Sequence, residues 1–304
     1  MGSVTRLRSG AGEVTLGAAV AAYLATLGAP EARGTKRVYG GILRALRARF
    51  GEDAGLGALD PDAIAAWFGE QWGERSPARW NGALNAIRSA VAYWAEQGWV
   101  TGDPTVRLRR RKVAPDRDRA LSREEVEQLL TDDRYALRDR VLWRLLYESA
   151  ARSAEVLALN VEDLDLPNRA ARVRRKGGAM DLVVWQTGTA RLLPRYLKGR
   201  TSGPLFVTER KARVELPPGD LDDRGRARLG YRQAEDRFKA ASGGATLHQL
   251  RHSALTHAAE DGTSTPMLMA RSGHTSVRSL VKYARVSAEA LRAHQAATDP
   301  ARRR

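Results

Sequence analysis

The chain contains no cysteine, which removes disulfides, thiolate metal sites and a cysteine nucleophile from consideration. No apolar run approaches the roughly 18 residues needed to cross a bilayer, and the first residues lack the apolar core of a secretory signal. The expectation is a soluble, cytoplasmic chain, nucleoid-associated and without a membrane partner. Lysine is scarce: Lys36, Lys112, Lys176, Lys198, Lys211, Lys239 and Lys282 are seven of 51 basic residues, so 44 are arginine. A single arginine is therefore uninformative here, whereas a lysine is a telling choice. Acidic residues are also in deficit, 35 against those 51, for a net charge of +16. Such an excess favours a polyanionic partner, nucleic acid ahead of an anionic membrane. There is no internal repeat and no glycine-rich phosphate loop. His248 and His252 have i,i+4 ligand spacing but lack the glutamate of a His-Glu-x-x-His site, so neither metal nor cofactor is expected.

A length of 304 residues suggests two domains, each able to bury a core. Residues 1–12 are rich in Gly, Ser and Arg without a period and read as a flexible arm. Apolar residues then recur at helical spacing over 15–27, 34–50, 61–72 and 77–97, and Asp60-Pro61 and Ser76-Pro77 supply start signals for the last two. Residues 13–100 thus read as a four-helix domain with Trp67, Trp72, Trp80, Trp94 and Trp99 as core. Lys36, Arg37, Arg44 and Arg79 are its candidate DNA-facing positions. Residues 101–120 read as a basic, extended linker in which Arg109, Arg110, Arg111 and Lys112 can follow a phosphate backbone and release counterions.

A second domain, 121–286, opens at the capping box Ser122–Glu125. Helices are expected at 123–131 and 136–149, followed by a short segment, 154–159. Residues 170–175 and 180–185 alternate and flank Lys176-Gly177-Gly178, the pattern of a β-hairpin. A helix near 187–198, a strand at 205–207, an irregular surface insertion at 212–227, and helices near 228–241 and 247–261 complete the reading. Residues 287–304 form a C-terminal helix and basic tail. The fold class is mainly α with a small β component.

The chemistry concentrates in 248–283. Two imidazoles and a guanidinium can hydrogen-bond phosphodiester oxygens, and a phenol can attack the phosphorus. His248, Arg251 and His252 occupy adjoining helix faces; Gly273-His274 follows, and Tyr283 stands nine positions after His274. This ordered set, His-x-x-Arg, Gly-His and a spaced tyrosine, resembles the tyrosine recombinase (phage integrase) family. The departures are Ala150-Ala151, where a glycine is common, and Ser272, where leucine is usual.

The resemblance implies a SAM-like helical core-binding domain and a mixed α/β catalytic domain forming a clamp around duplex DNA. It assigns Arg152 and Arg251 to the scissile phosphate, with Glu155 as the glutamate accompanying Arg152. His248 becomes the histidine that hydrogen-bonds the scissile phosphate or assists deprotonation of the nucleophile, His274 the last of the phosphate-binding positions, and Tyr283 the nucleophile of a 3′-phosphotyrosyl intermediate. Lys176 matches the family's lysine; the departing 5′ oxygen needs a proton, and a lysine in a cationic site supplies one more readily than arginine. The implied partners are double-stranded DNA with a specific recombination site, a homotetramer on synapsed sites that passes through a Holliday junction, and an accessory DNA-bending or directionality factor. An element-encoded integrase is favoured modestly over a chromosome-resolving enzyme. The rivals are a type IB topoisomerase-like activity and an inactive DNA-binding regulator. His252, His257 and His294 receive no role.

Overall fold

The computed structural model describes residues 14–29, 33–113, 120–175, 178–277, 280, 291–292, 295–296, 298–299 and 301. The arm 1–12, part of the basic linker, Lys176, Tyr283, His294, most of the C-terminal helix and its last three arginines lie outside the described residues. The chain divides into two compact units between Pro115 and Asp116.

The first unit contains helices α1 (Leu16–Thr26), α2 (Arg33–Phe50), α3 (Pro61–Trp72) and α4 (Pro77–Glu96). Local chemistry sets their starts: the side chains of Thr15, Asp60 and Ser76 accept the N–H of Ala18, Ala63 and Arg79, and proline opens both α3 and α4. Trp67, Trp80 and Trp94 are buried, while Trp72 and Trp99 pack at the edge of the same core. The fully buried Trp94 donates its Nε1 hydrogen to Ala19 O at 3.0 Å, so its indole carries no unmet polar group.

Residues 103–111, expected as an extended linker, are tied to α4. Trp80 Nε1 donates to Arg109 O (2.9 Å), and Arg88 Nη2 donates to Leu108 O (2.8 Å). The Asn81 amide exchanges two hydrogen bonds with the backbone of Arg111, at 2.8 and 2.9 Å. An asparagine side chain presents the same donor and acceptor as a peptide group, so it pairs with this segment as a neighbouring strand would.

The second unit is built around α6 (Leu137–Ser149), whose Val141, Leu142, Trp143, Leu145 and Leu146 are all buried. It packs against α5 (Arg123–Thr131), α7 (Ser153–Ala158), α8 (Thr187–Leu197), α9 (Tyr231–Ala241) and α10 (Leu247–Glu260). Both arms of the Ser122–Glu125 capping box are formed at the start of α5. Strands β1 (Leu164–Asp165), β2 (Ala170–Arg174) and β3 (Met180–Val184) make an antiparallel sheet in that order, with Arg174 opposite Met180 at the turn end of the β2–β3 pair. Helix α11 (Thr265–Ser272) follows α10. The described residues are mainly helical with two small sheets, the fold class expected.

One expectation is corrected. The strand anticipated at 205–207 begins at Val207 and runs to Lys211 as β4, and the insertion 212–227 is not wholly irregular. It returns as β5 (Arg226–Arg228), antiparallel to β4, which delays α9 to Tyr231. Arg228 secures this return by donating to the carbonyls of Leu157, Ala158 and Leu159 at the end of α7 and to Asp220 and Asn160. Those carbonyls have no partner within their own helix, so the arginine serves as a C-cap supplied from far along the chain.

Candidate active site

Four side chains from three stretches of the second unit line one cleft of about 250 Å³: Arg152, His248, Arg251 and His274, together with Ser153, Ala154 and Tyr231. Each is placed by a helix end. Thr246 caps α10 through a box with Gln249, which sets His248 in the first turn and Arg251 one turn later. Arg152 is the residue before α7, and its N–H is accepted by Glu155 Oε2 at 3.0 Å. His274 follows Gly273, which ends α11 in the left-handed conformation (φ 63°).

Arg251 is buried, and its guanidinium is oriented by two carbonyls, Ala150 O and Ser272 O (2.8 Å to the latter). Ala150 ends α6 at φ 52°, a left-handed conformation that an alanine adopts at a cost of about 1–2 kcal/mol. That conformation turns the Ala150 carbonyl toward Arg251. Arg152 is partly exposed; its Nη1 meets Glu155 Oε1 at 2.8 Å and its Nη2 reaches Gly273 O at 3.4 Å. The buried Glu155 also accepts from Arg175 Nη1 at 2.7 Å. A carboxylate held by two guanidiniums fixes both in plane.

His274 Nδ1 lies 2.7 Å from Ser272 Oγ, and that hydroxyl donates to Leu268 O at 2.6 Å. With its proton committed to Leu268, Oγ accepts from Nδ1–H and so sets the tautomer and the ring orientation. The departure at Ser272 therefore has a function of its own. Gly273 is needed for a second reason besides its φ: a Cβ there would stand 2.7 Å from Arg175 Cζ.

Tyr231 was not singled out from the sequence. Its phenol lies 3.3 Å from Glu235 Oε2, and burial, then the Glu235 charge, raise its pKa above the ordinary value. Arg175 and Ser272 were likewise missed as site residues, the first because arginine is everywhere in this chain. His252 is outside the cleft and has Thr256 Oγ1 3.3 Å from its Nδ1. His257 is a core histidine: its Nδ1 lies 2.7 Å from Tyr147 OH, and burial, then Arg123, lower its pKa. Among the described residues no three His, Asp or Glu side chains are grouped to hold a metal ion.

A family model described as the phage integrase family matches residues 119–290. Tyrosine recombinase XerC of Mycobacterium tuberculosis (strain ATCC 25177 / H37Ra) is 31% identical over 280 residues, covering 85% of this chain and 90% of its own length. The chain belongs to the phage integrase family. XerC of Mycobacterium sp. (strain KMS) is 30% identical over 279 residues with the same coverage. Solved structures share the fold at lower identity. A lambda integrase tetramer bound to a Holliday junction has a TM-score of 0.69 at 17% identity, covering 91% of this chain and 80% of that one. The Tn1549 transposon integrase in complex with a circular intermediate DNA has a TM-score of 0.66 at 15% identity, covering 93% and 99%. Of the six residues that the phage integrase motif picks out, the structure brings Arg152, His248, Arg251 and His274 together; Lys176 and Tyr283 lie outside the described residues.

In the first unit, Lys36, Arg37, Arg44 and Arg79 are exposed, as are Arg109, Arg110 and Lys112. Arg111 differs. Its guanidinium stacks over Trp80 at 3.8 Å from the ring centroid and donates to Gly73 O at 2.7 Å, so it acts as a fastener for the 103–111 segment. No helix among the described residues is long and apolar enough to cross a membrane.

Proposed function

We propose that this phage integrase family member is a site-specific tyrosine recombinase acting on double-stranded DNA in the cytoplasm. The observation that carries the reading is the convergence of Arg152, His248, Arg251 and His274 on one cleft. A phosphodiester undergoing attack gathers charge on its non-bridging oxygens, and preorganised donors aimed at those oxygens lower the barrier. Arg251, fixed by two carbonyls, and Arg152, fixed by Glu155, are such donors; guanidiniums stay charged and fork onto phosphate oxygens. His248 and His274 add hydrogen bonds around the same phosphate.

The nucleophile is Tyr283. Its phenol oxygen bonds to phosphorus as the P–O5′ bond breaks; the phenolic proton passes to His248, and the departing 5′ oxygen takes a proton from Lys176. The 3′-phosphotyrosyl bond retains the energy of the phosphodiester, and a 5′ hydroxyl from a partner strand reverses the step. Recombination needs this at four strands, which a homotetramer on two synapsed sites supplies through a Holliday junction. The lambda integrase tetramer provides the structural analogy.

The test is to mix wild-type, Tyr283→Phe and Tyr231→Phe proteins with fragmented DNA from the source cell, denature, and sequence the covalently held fragments. Adducts are expected from wild type and Tyr231→Phe alone, at one inverted-repeat sequence. Adducts scattered over all sequences would indicate topoisomerase-like action. Adducts surviving in Tyr283→Phe and absent from Tyr231→Phe would move the nucleophile into the cleft's own phenol.

A further inference from the structure

Arg175, at the root of the β2–β3 turn, has no part in the reaction as written above, yet it is buried to within 7% of full enclosure. Its Nε donates to Asp181 Oδ2 at 2.8 Å and its Nη1 to Glu155 Oε2 at 2.7 Å. Its Nη2 is buried with no hydrogen-bond partner among the described residues. The Cα of Gly273 closes over the guanidinium so tightly that a Cβ would fall within 2.7–2.9 Å of Cζ, Nε and Nη1. The backbone of Arg175 closes the turn, donating to Ala179 O at 2.8 Å and accepting from Gly178 N–H at 3.0 Å.

A hairpin turn has no need of this. Enclosing a guanidinium with one donor unmet is costly, and an arginine serving only the turn would lie in solvent. What the cost secures is geometric. Glu155 has two oxygens and three donors: Arg152 Nη1 on Oε1, and Arg152 N–H with Arg175 Nη1 on Oε2. With Arg152 alone, the carboxylate can rotate about its terminal torsion, which is broad and two-fold. With Arg175 on the opposite side, it is held between two cations, and the Arg152 fork is held with it. The Arg152 guanidinium also reaches Gly273 O, and Gly273 is the residue packed on Arg175.

We propose that Arg175 is a positioning residue for strand cleavage, acting through Glu155 and Gly273 to aim Arg152 at the scissile phosphate. The proposal rests on the reading of Arg152 as the group that neutralises charge on that phosphate.

The test compares single-turnover cleavage by wild type, Arg175→Gln, Arg175→Lys and Arg152→Gln on a suicide DNA substrate. The substrate carries an ordinary phosphodiester, a methylphosphonate or a 5′-bridging phosphorothiolate at the scissile position. A methylphosphonate has no ionised non-bridging oxygen, so it makes little demand on an aimed cation. On the phosphodiester, Arg175→Gln is expected to lose about 10²-fold in rate, the scale of a small misplacement of a reacting group, with DNA affinity near wild type and a melting temperature lowered by loss of the buried bond to Glu155. Arg175→Lys, which keeps the charge beside Glu155, should recover part of the loss. On the methylphosphonate, the deficits of Arg152→Gln and Arg175→Gln should both shrink at least tenfold. Recovery of Arg152→Gln without Arg175→Gln would overturn the proposal. So would recovery of Arg175→Gln only on a 5′-bridging phosphorothiolate, whose leaving group needs no proton. If neither Arg152→Gln nor Arg175→Gln recovered, the reading of Arg152 would fall instead. Arg175→Gln recovering alone would likewise separate it from Arg152 and defeat the positioning role.

Discussion

Substituting Gly273 by alanine tests the packing at the centre of the site. Two costs are expected. Alanine at φ 63° carries about 1–2 kcal/mol of left-handed strain. The new methyl also meets the Arg175 guanidinium at 2.7 Å, and that group cannot swing away without releasing Glu155 and Asp181. Losing the buried charge-assisted bond to Glu155 adds about 1.5–3 kcal/mol. The single variant should thus lose about 2.5–5 kcal/mol, which for a unit of this size is a fall of roughly 5–20 °C in melting temperature. In an Arg175→Ala background there is nothing for the methyl to strike, and only the strain of about 1–2 kcal/mol remains. Calorimetry of the four proteins in this double-mutant cycle measures the coupling directly. A coupling near zero, with Gly273→Ala equally costly in both backgrounds, would refute the claim that Arg175 fills the space over Gly273.

Two further outcomes follow from other parts of the chain. Arg111→Ala should destabilise the first unit by about 1–3 kcal/mol through loss of the stack on Trp80 and the carbonyl bonds, while leaving the salt dependence of DNA binding unchanged. Arg37→Ala, at an exposed candidate, should lower the slope of log K against log salt by about 0.9 with little effect on stability; equal slopes for both variants would reverse these assignments. His257 is buried neutral beside Tyr147, with Arg123, Glu260 and Asp261 around it, and its pKa is lowered. Below the unfolded value of about 6.5 the unfolded chain takes up a proton that the folded chain refuses. Its contribution to stability is therefore present above that pH and lost as pH falls toward the lowered folded pKa. His257→Gln should flatten that part of the stability profile, as urea midpoints measured from pH 7.5 to 5 would show.

Helix limits were legible because their causes are local. Proline after Asp60 and Ser76, and the reciprocal pair Ser122 and Glu125, act within one turn of chain, so a reader of the residues meets both cause and effect together. The order of His248, Arg251 and His274 was legible for a related reason, since spacing along a chain survives folding unchanged. Strand β5 was not, because a three-residue strand of arginine, alanine and arginine has no apolar alternation and exists only through its ladder with β4 and the carbonyls that Arg228 caps.

The same distinction separates the two groups of site residues. The proposed chemistry rests on the types and spacing of Arg152, Glu155, His248, Arg251, His274 and Tyr283, because phosphate oxygens need fixed cations and a phosphorus needs a nucleophile. Which of 44 arginines would be enclosed, and what each would hold, was settled by long-range packing. Ser272 meets His274 locally, across the left-handed Gly273, but Arg175 meets Glu155 from 20 residues away and Gly273 from 98. Hydrogen bonds of that kind depend on angles and distances that tertiary contacts alone impose, so no reading of neighbours along the chain reaches them.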